Sequence, residues 1–462
     1  MMLIKKFYSR FVLTTCLILS ISSFFKNDMI SRAISLLDDH IVSSNLCDSE
    51  VEQYSGYINI APDANMFFWF FESRNDPKNS PLTIWLSGGP GFSSMFALFQ
   101  EARPCKVIAN TTKTIKPPNS WNEVSNLLFI DEPIGAGFSY GSRLVNTTEQ
   151  CASDIYEFLQ KFFTKFPKYA TLDLNLFSES YGGHYVPIMA KLIVQNNNLI
   201  KTEKMKDKIL INLKSCGIGG PWVNPLITMK SYVNYIENNT YNKSLISPQL
   251  IEEMRNKWIP CQQNIIECYR TNTTHDCTIA NSTCWDVYVQ IFNQSSGVDE
   301  YDIRAPNGMG TPFAEYANFL DDPSVRRSIG INTNEIKTNY VENNVDIYNR
   351  FAASGDLMHS TVSQVEFLLD NDIPILFFVG DADFICNWIG SNEMIESLKW
   401  KCQQEFNNAK FQDWKVDGVK VGEIRKVKNL WYAKFFRSSH FVPHDQPRNA
   451  FILFKMWIEN LN

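Results

Sequence analysis

The chain has 462 residues, a net charge of −6 and 44% hydrophobic residues. That is enough to bury a large core, as one elaborated domain or as a core with a sizeable insertion. No Lys/Arg run continues beyond two or three residues, which argues against nucleic-acid binding.

Lys5, Lys6 and Arg10 precede an apolar run from Phe11 to Phe25, closed by Lys26-Asn27-Asp28. Residues 1–25 read as a secretory signal peptide, with an uncleaved anchor as the alternative. No later stretch is apolar enough to span a bilayer, so no membrane association is expected after cleavage. Eleven cysteines are many for a cytosolic enzyme. Asn110, Asn146, Asn238, Asn242, Asn272, Asn281 and Asn293 each open an Asn-x-Ser/Thr sequon. Five of these lie between 238 and 293, which suggests an exposed, decorated segment.

Residues 26–46 carry Ile30, Ile34, Leu37 and Ile41 at helix-like spacing, as a pro-segment or an N-terminal helix. Tyr54–Ile60 and Met66–Phe71 read as strands joined by a short turn. Leu82–Leu86 is a short buried strand ending in Ser87-Gly88-Gly89-Pro90-Gly91. Asn126–Asp131 is another, ending in Glu132-Pro133-Ile134-Gly135. Thr148 to Phe166 has helical periodicity. Leu172, Leu174, Leu176 and Phe177 form a strand that runs into Ser178-Glu179-Ser180-Tyr181-Gly182-Gly183, and a helix follows. A lone Ser at a strand-to-helix turn, with small neighbours, fits a nucleophile elbow. Ser178 departs from the G-x-S-x-G form, and an ordinary strand–turn–helix junction is the plain alternative. Lys208–Leu213 reads as the next strand.

From 226 to 345 the alternation stops, which marks a cap insertion. Alternation resumes with Ile373–Val379, ending in Gly380-Asp381-Ala382-Asp383. Leu430–Phe436 ends in Arg437-Ser438-Ser439-His440, and a helix covers Arg448–Glu459. Strands alternating with helices predict an α/β fold, a mostly parallel sheet covered on both faces. The core would be 47–225 and 346–462. Ligands of such sheets bind beyond the strands' C-terminal ends, where Ser87–Gly91, Asp131–Gly137 and Ser180 gather.

A Ser–acid–His order suits a hydrolase triad. His275 lies among sequons and His359 ahead of the strand that carries the candidate acid. His440 follows a core strand, where a base is needed, and Asp381 or Asp383 closes the strand before it. His184, next to the elbow, has a structural role. The base takes the serine's proton and the carboxylate fixes the imidazole.

Taken together, Trp85-Leu-Ser-Gly-Gly-Pro-Gly-Phe-Ser-Ser94, Asp131-Glu-Pro-Ile-Gly-Ala-Gly-Phe-Ser-Tyr140, Glu179-Ser-Tyr-Gly-Gly-His-Tyr-Val-Pro187, Gly380-Asp-Ala-Asp-Phe-Ile-Cys-Asn-Trp388 and His440-Phe-Val-Pro443 resemble the serine carboxypeptidase (S10 peptidase) family over residues 50–462. Within that family they are most similar to the yeast carboxypeptidase Y-like branch. The resemblance implies an α/β-hydrolase fold and removal of C-terminal residues from peptides or proteins at acid pH, in a lysosome, a vacuole or outside the cell. It implies Ser180 as nucleophile, His440 as base, Asp383 as orienting acid, and the N–H groups of Gly89 and Tyr181 as oxyanion donors. It implies Trp85, Gly88, Glu101 and Glu179 as the set that binds the substrate carboxylate, with Ser87 where the family has Asn. Nothing in the reading calls for a cofactor or a metal. Alternatives are an acyltransferase of the same family and a non-catalytic, protective homologue.

Cys261, Cys268, Cys277 and Cys284 are spaced 7, 9 and 7. Three connectivities and a zinc site are open from spacing. The resemblance implies the nested pair Cys261–Cys284 and Cys268–Cys277. It also implies a free thiol at Cys386, and a bridge lost where Phe92 replaces Cys. Cys47, Cys105, Cys151, Cys216 and Cys402 have no assignment.

Overall fold

A computed structural model describes residues 40–312 and 315–461, with the side chains of 285–287 and 289–290 left aside. The expected signal peptide and most of the segment 26–46 lie outside the described residues. Among the described residues fourteen strands occur in chain order: β1 Ile41–Ser43, β2 Gln53–Ala61, β3 Ala64–Phe71, β4 Leu82–Leu86, β5 Lys106–Val107, β6 Thr114–Ile115, β7 Asn126–Ile130, β8 Tyr140–Gly141, β9 Leu174–Glu179, β10 Leu213–Gly219, β11 Ile375–Gly380, β12 Gln412–Val416, β13 Val419–Val427 and β14 Leu430–Phe435. The main sheet runs β1-β2-β3-β7-β4-β9-β10-β11-β14-β13-β12, with β8 on β3. The six central strands, β7 to β14 in that order, are mutually parallel, and the edges are antiparallel.

Every residue of β4, β7, β9 and β11 is buried. Covering both faces favours largely apolar runs, as in β4, β7 and β11, while β9 also buries Asn175, Ser178 and Glu179. On one face, the helix Thr148–Lys165 is capped by the Thr147 side chain, which accepts from Gln150 N. It lays Phe158 and Phe162 against Phe68, each with ring centroids 5.7 Å away. Each such buried ring contributes about 1.5–3 kcal/mol. The sheet, its order and its crossover helices make this an α/β-hydrolase fold.

Two local expectations differ from the structure. Ile41 belongs to a strand, β1, whose residues pair with Tyr54–Gly56, so the helical spacing does not extend this far. The strand expected at Lys208–Leu213 begins only at Leu213. Side chains take the place of a neighbouring strand before it. Gln160 Oε1 accepts from Ile209 N at 2.6 Å, Asn197 Oδ1 accepts from Ile211 N at 3.1 Å, and both amides donate back to the same residues' carbonyls. The true strand continues into Gly217 and Gly219, residues of low strand propensity. Packing requires them: a Cβ there would meet the rings of Phe177 at 2.1 Å and Phe378 at 2.6 Å.

The segment 226–345 is built on helices Pro225–Asn238, Pro248–Thr271 and Thr274–Ser295. Cys261–Cys284 and Cys268–Cys277 are bonded, nested as the resemblance implies. All four sulfurs are joined in these two pairs. A third bridge, Cys47–Cys105, ties the N-terminal strands to the loop after Glu101. Phe92 forms a backbone bridge with Asn343, flanked by Ser93 N to Glu342 O at 2.8 Å and Asn344 N to Gly91 O at 3.1 Å. No helix among the described residues is long and apolar enough to cross a membrane.

Candidate active site

β9 delivers Ser180 to the sheet's C-terminal edge. The serine has φ +59°, a left-handed conformation that costs a non-glycine residue energy and lifts its side chain out of the strand. Bonds on both sides hold it there, Ser180 N to Gly219 O at 2.8 Å and Trp222 N to Ser180 O at 2.9 Å. The departure at Ser178 has a use: its hydroxyl donates to the Leu86 carbonyl of β4. Gly182 leaves it room, since a Cβ there would stand 2.0 Å from Ser178 Oγ. The helix Gly182–Lys201 then starts directly behind Ser180, its N-terminus favouring negative charge at the elbow.

The loop after β4 passes close to the same turn. A Cβ on Gly88 would approach Glu179 O to 2.6 Å and Tyr181 N to 2.8 Å, so only glycine fits. Gly89 follows with φ +108°, again a glycine conformation.

His440 and Asp383 come from the ends of β14 and β11. His440 Nδ1 lies 2.8 Å from Asp383 Oδ2, and Asp383 Oδ1 accepts from Cys386 N at 3.1 Å. Asp381, the other candidate, accepts instead from Tyr241 Oη at 2.8 Å and Ser438 N. The His–Asp pair is 2% and 0% exposed. Gly220 backs onto it, where a Cβ would come within 3.0 Å of Nδ1. Burial pulls the His440 pKa down, but the charge and hydrogen bond of Asp383, with Glu179 and Glu300 nearby, more than offset this and leave it raised.

Gly88, Gly89, Glu179, Ser180, Tyr181 and His440 line one cleft of about 560 Å³. Trp85, Ser87 and Glu101 are buried behind it. Trp85 Nε1, Ser87 Oγ and both Glu101 carboxyl oxygens make no well-directed hydrogen bond to any described residue. Buried polar atoms are nearly always paired, so such a cluster is set up for a polar partner. Burial first, then the charge of Glu179, hold Glu101 well above the usual carboxylate range. Burial also raises Glu179, against the lowering effect of His440 and Glu101. Burial thus raises both members of this close pair.

His184 is no base for Ser180. Its Nδ1 lies 2.6 Å from Trp222 O and its Nε2 3.0 Å from His359 O. His275 is exposed on the cap.

Other cleft residues escape a reading of the sequence. Trp222 follows the glycines that end β10, a position at the sheet edge that could have flagged it. Tyr301, Glu342 and Leu357 also line the cleft from stretches without periodicity, and Tyr348 lines it from the helix Val345–Ser354. Glu300, half-buried, is a further acid close to the His–Asp pair. Its carbonyl accepts from Phe384 N and Ile385 N, beside Asp383, and burial lifts its carboxyl to about 7.

The sequon asparagines differ in access. Asn110, Asn238, Asn242 and Asn272 are exposed, whereas Asn146, Asn281 and Asn293 are half-buried. Asn293 Nδ2 donates to Glu300 Oε2 at 2.9 Å.

Comparison with known proteins agrees with this geometry. A family model described as serine carboxypeptidase matches residues 45–460. Carboxypeptidase S1 of Penicillium janthinellum is 36% identical over 424 residues, 91% of this chain and 98% of that protein. Carboxypeptidase Y of Candida albicans is 35% identical over 413 residues, 88% of this chain and 73% of that protein. Among solved structures, Kex1ΔP, a prohormone-processing carboxypeptidase from Saccharomyces cerevisiae, superposes with a TM-score of 0.78 at 24% identity, covering 91% of this chain and 96% of that one; at that identity it speaks for the fold. With the family model spanning nearly the whole described chain and a relative matched almost end to end, the chain belongs to the serine carboxypeptidase family.

Proposed function

We propose that the protein removes C-terminal residues from peptides or proteins through an acyl-enzyme on Ser180. His440 takes the proton of Ser180 Oγ as the oxygen attacks the scissile carbonyl. Asp383, on Nδ1, fixes the tautomer and stabilises the imidazolium. The N–H groups of Gly89 and Tyr181 stabilise the oxyanion, each donor of this kind being worth about 3 kcal/mol. Collapse breaks the C–N bond, and His440 returns the proton to the leaving amine. Water then repeats the cycle on the ester and frees Ser180.

The observation that carries the exopeptidase reading is the buried polar set behind Glu179, in which Trp85 Nε1 and Ser87 Oγ have no hydrogen-bond partner among the described residues and Glu101 has only its neighbour Glu179. Trp85 Nε1, Ser87 Oγ, Gly88 N–H and a protonated Glu101 are donors for one carboxylate. Ser87 is short where the family has Asn, so a water completes its reach. Burial of two acids together makes this grip strongest at acid pH. An acidic compartment of the secretory pathway, or acidic fluid outside the cell, suits this chemistry, and the three disulfides suit its redox state. Glycans are expected first at the four exposed sequons.

Incubation of the mature chain with a peptide ladder, with and without a serine-reactive organophosphate, tests the reading. Stepwise C-terminal trimming, abolished by covalent labelling of Ser180, is expected. Labelling without trimming would leave an acyltransferase, and no labelling would leave a non-catalytic homologue.

A further inference from the structure

Asp356 lies behind the elbow and takes no part in the chemistry just described. It is 2% exposed, in the turn Asp356–Met358. Its carboxylate accepts from Tyr181 Oη, from Thr148 Oγ1 and, at 3.2 Å to each oxygen, from Thr148 N. Thr148 is the first residue of the helix Thr148–Lys165, so the carboxylate also satisfies a helix N-terminus. The Tyr181 ring stacks on His184, centroids 4.6 Å apart and planes 13° off parallel. His184 is held in turn by the Trp222 and His359 carbonyls. Residues 356–359 therefore grip the tyrosine at its hydroxyl and, through His184, at its face. That segment is itself fixed against the cap: a Cβ on Gly355 would stand 2.6 Å from Cys277 Cβ.

Tyr181 makes two demands on its own position. Its side chain points back into this network, while its backbone N–H faces the 88–89 loop. A donor must hold its distance of about 2.7–3.1 Å from the oxyanion to within tenths of an ångström, and a displacement of about 1 Å costs about 10²-fold in rate. We propose that Asp356 is a positioning residue for the oxyanion site: by anchoring the Tyr181 hydroxyl it sets where the Tyr181 N–H points. The assignment rests on the carboxypeptidase reading and on Tyr181 as a donor.

The test uses the full mature chain and a blocked dipeptide with a free C-terminus. Asp356→Asn keeps the volume and removes the charge; Tyr181→Phe removes only the hydroxyl and leaves Asp356 with Thr148. Each is expected to lower kcat about 10- to 100-fold with KM within threefold. Affinity for a peptide aldehyde, whose adduct on Ser180 carries an oxyanion, should fall in step with kcat. The double variant should be no worse than the poorer single one, because both act through one bond. If Asp356→Asn fails to fold, as judged by its thermal midpoint, Tyr181→Phe alone decides. A kcat within threefold of wild type, an unchanged aldehyde affinity, or additive losses in the double variant would overturn the assignment while leaving the carboxypeptidase reading intact. A wild-type chain that does not cleave the dipeptide would overturn both.

Discussion

Replacing Glu101 with Gln should change the pH dependence of peptide hydrolysis more than its maximum. Glu101 is 1% exposed, and burial beside Glu179 holds its pKa well above the ordinary range. On the proposed reading it donates to the substrate carboxylate while protonated. As pH rises through its folded pKa the proton leaves, and a second negative charge faces the substrate's. kcat/KM for a free-acid peptide should then fall tenfold per pH unit, the signature of one proton. A hydrogen bond to a charged acceptor is worth about 1.5–3 kcal/mol, about 10- to 100-fold. Glutamine donates at every pH, so Glu101→Gln should keep that grip and lose the basic limb. The acid limb, which reports deprotonation of His440 from its raised pKa, should remain. The assay is kcat/KM from pH 4 to 9 for a blocked dipeptide and for its C-terminal amide, which carries no carboxylate. The amide should lack the basic limb already in the wild type. An unchanged basic limb in Glu101→Gln, or a matching one for the amide, would refute the reasoning.

Asp383→Asn should leave the fold intact and lower kcat by about 10⁴, with Ser180 still present for slow labelling. Thermal stability should decline with rising pH: burial lifts Asp131 to about 6, Glu300 to about 7 and Glu132 to about 8. An acid raised on folding stabilises fully below its unfolded pKa, and that contribution is lost as pH climbs through the folded one, at about 1.4 kcal/mol per pH unit at most. Glu132→Gln should flatten the fall in Tm between pH 5 and 8; an equally steep fall would exclude Glu132 as a source. Replacing Cys47 and Cys105 together with Ala opens a loop of 58 residues, a loss of about 4 kcal/mol by chain entropy, read as a lower urea midpoint.

Much of the fold was legible because it rests on burial. β4, β7 and β11 are largely apolar runs that end in glycine-containing turns, and both the run and the turn follow from a sheet covered on two faces. The placement of Ser180, Asp383 and His440 was legible for the same reason, each residue standing just past a strand. The choice between Asp381 and Asp383 was open to local reasoning, since it depends on which carboxylate Tyr241 claims. Glu101 gives no signal on its own: its burial is imposed by the helical turn Ala97–Glu101, whose other buried residues are apolar. β10 was misplaced because side chains from two helices substitute for a strand at Ile209 and Ile211. The cleft wall was illegible because Tyr301, Glu342 and Leu357 reach it from stretches without a period, positioned by tertiary contacts alone.

The bridge between Phe92 and Asn343 bears on how the enzyme meets reducing conditions. The cap is stapled by sulfur, whereas the cleft wall beside Gly89 is held by peptide groups, Ser93 N to Glu342 O and Asn344 N to Gly91 O. Thiols can open the first and have nothing to open in the second. Reduction that reaches these buried sulfurs should therefore loosen the helices Pro248–Thr271 and Thr274–Ser295 before it widens the cleft, separating the redox sensitivity of those helices from that of the cleft wall.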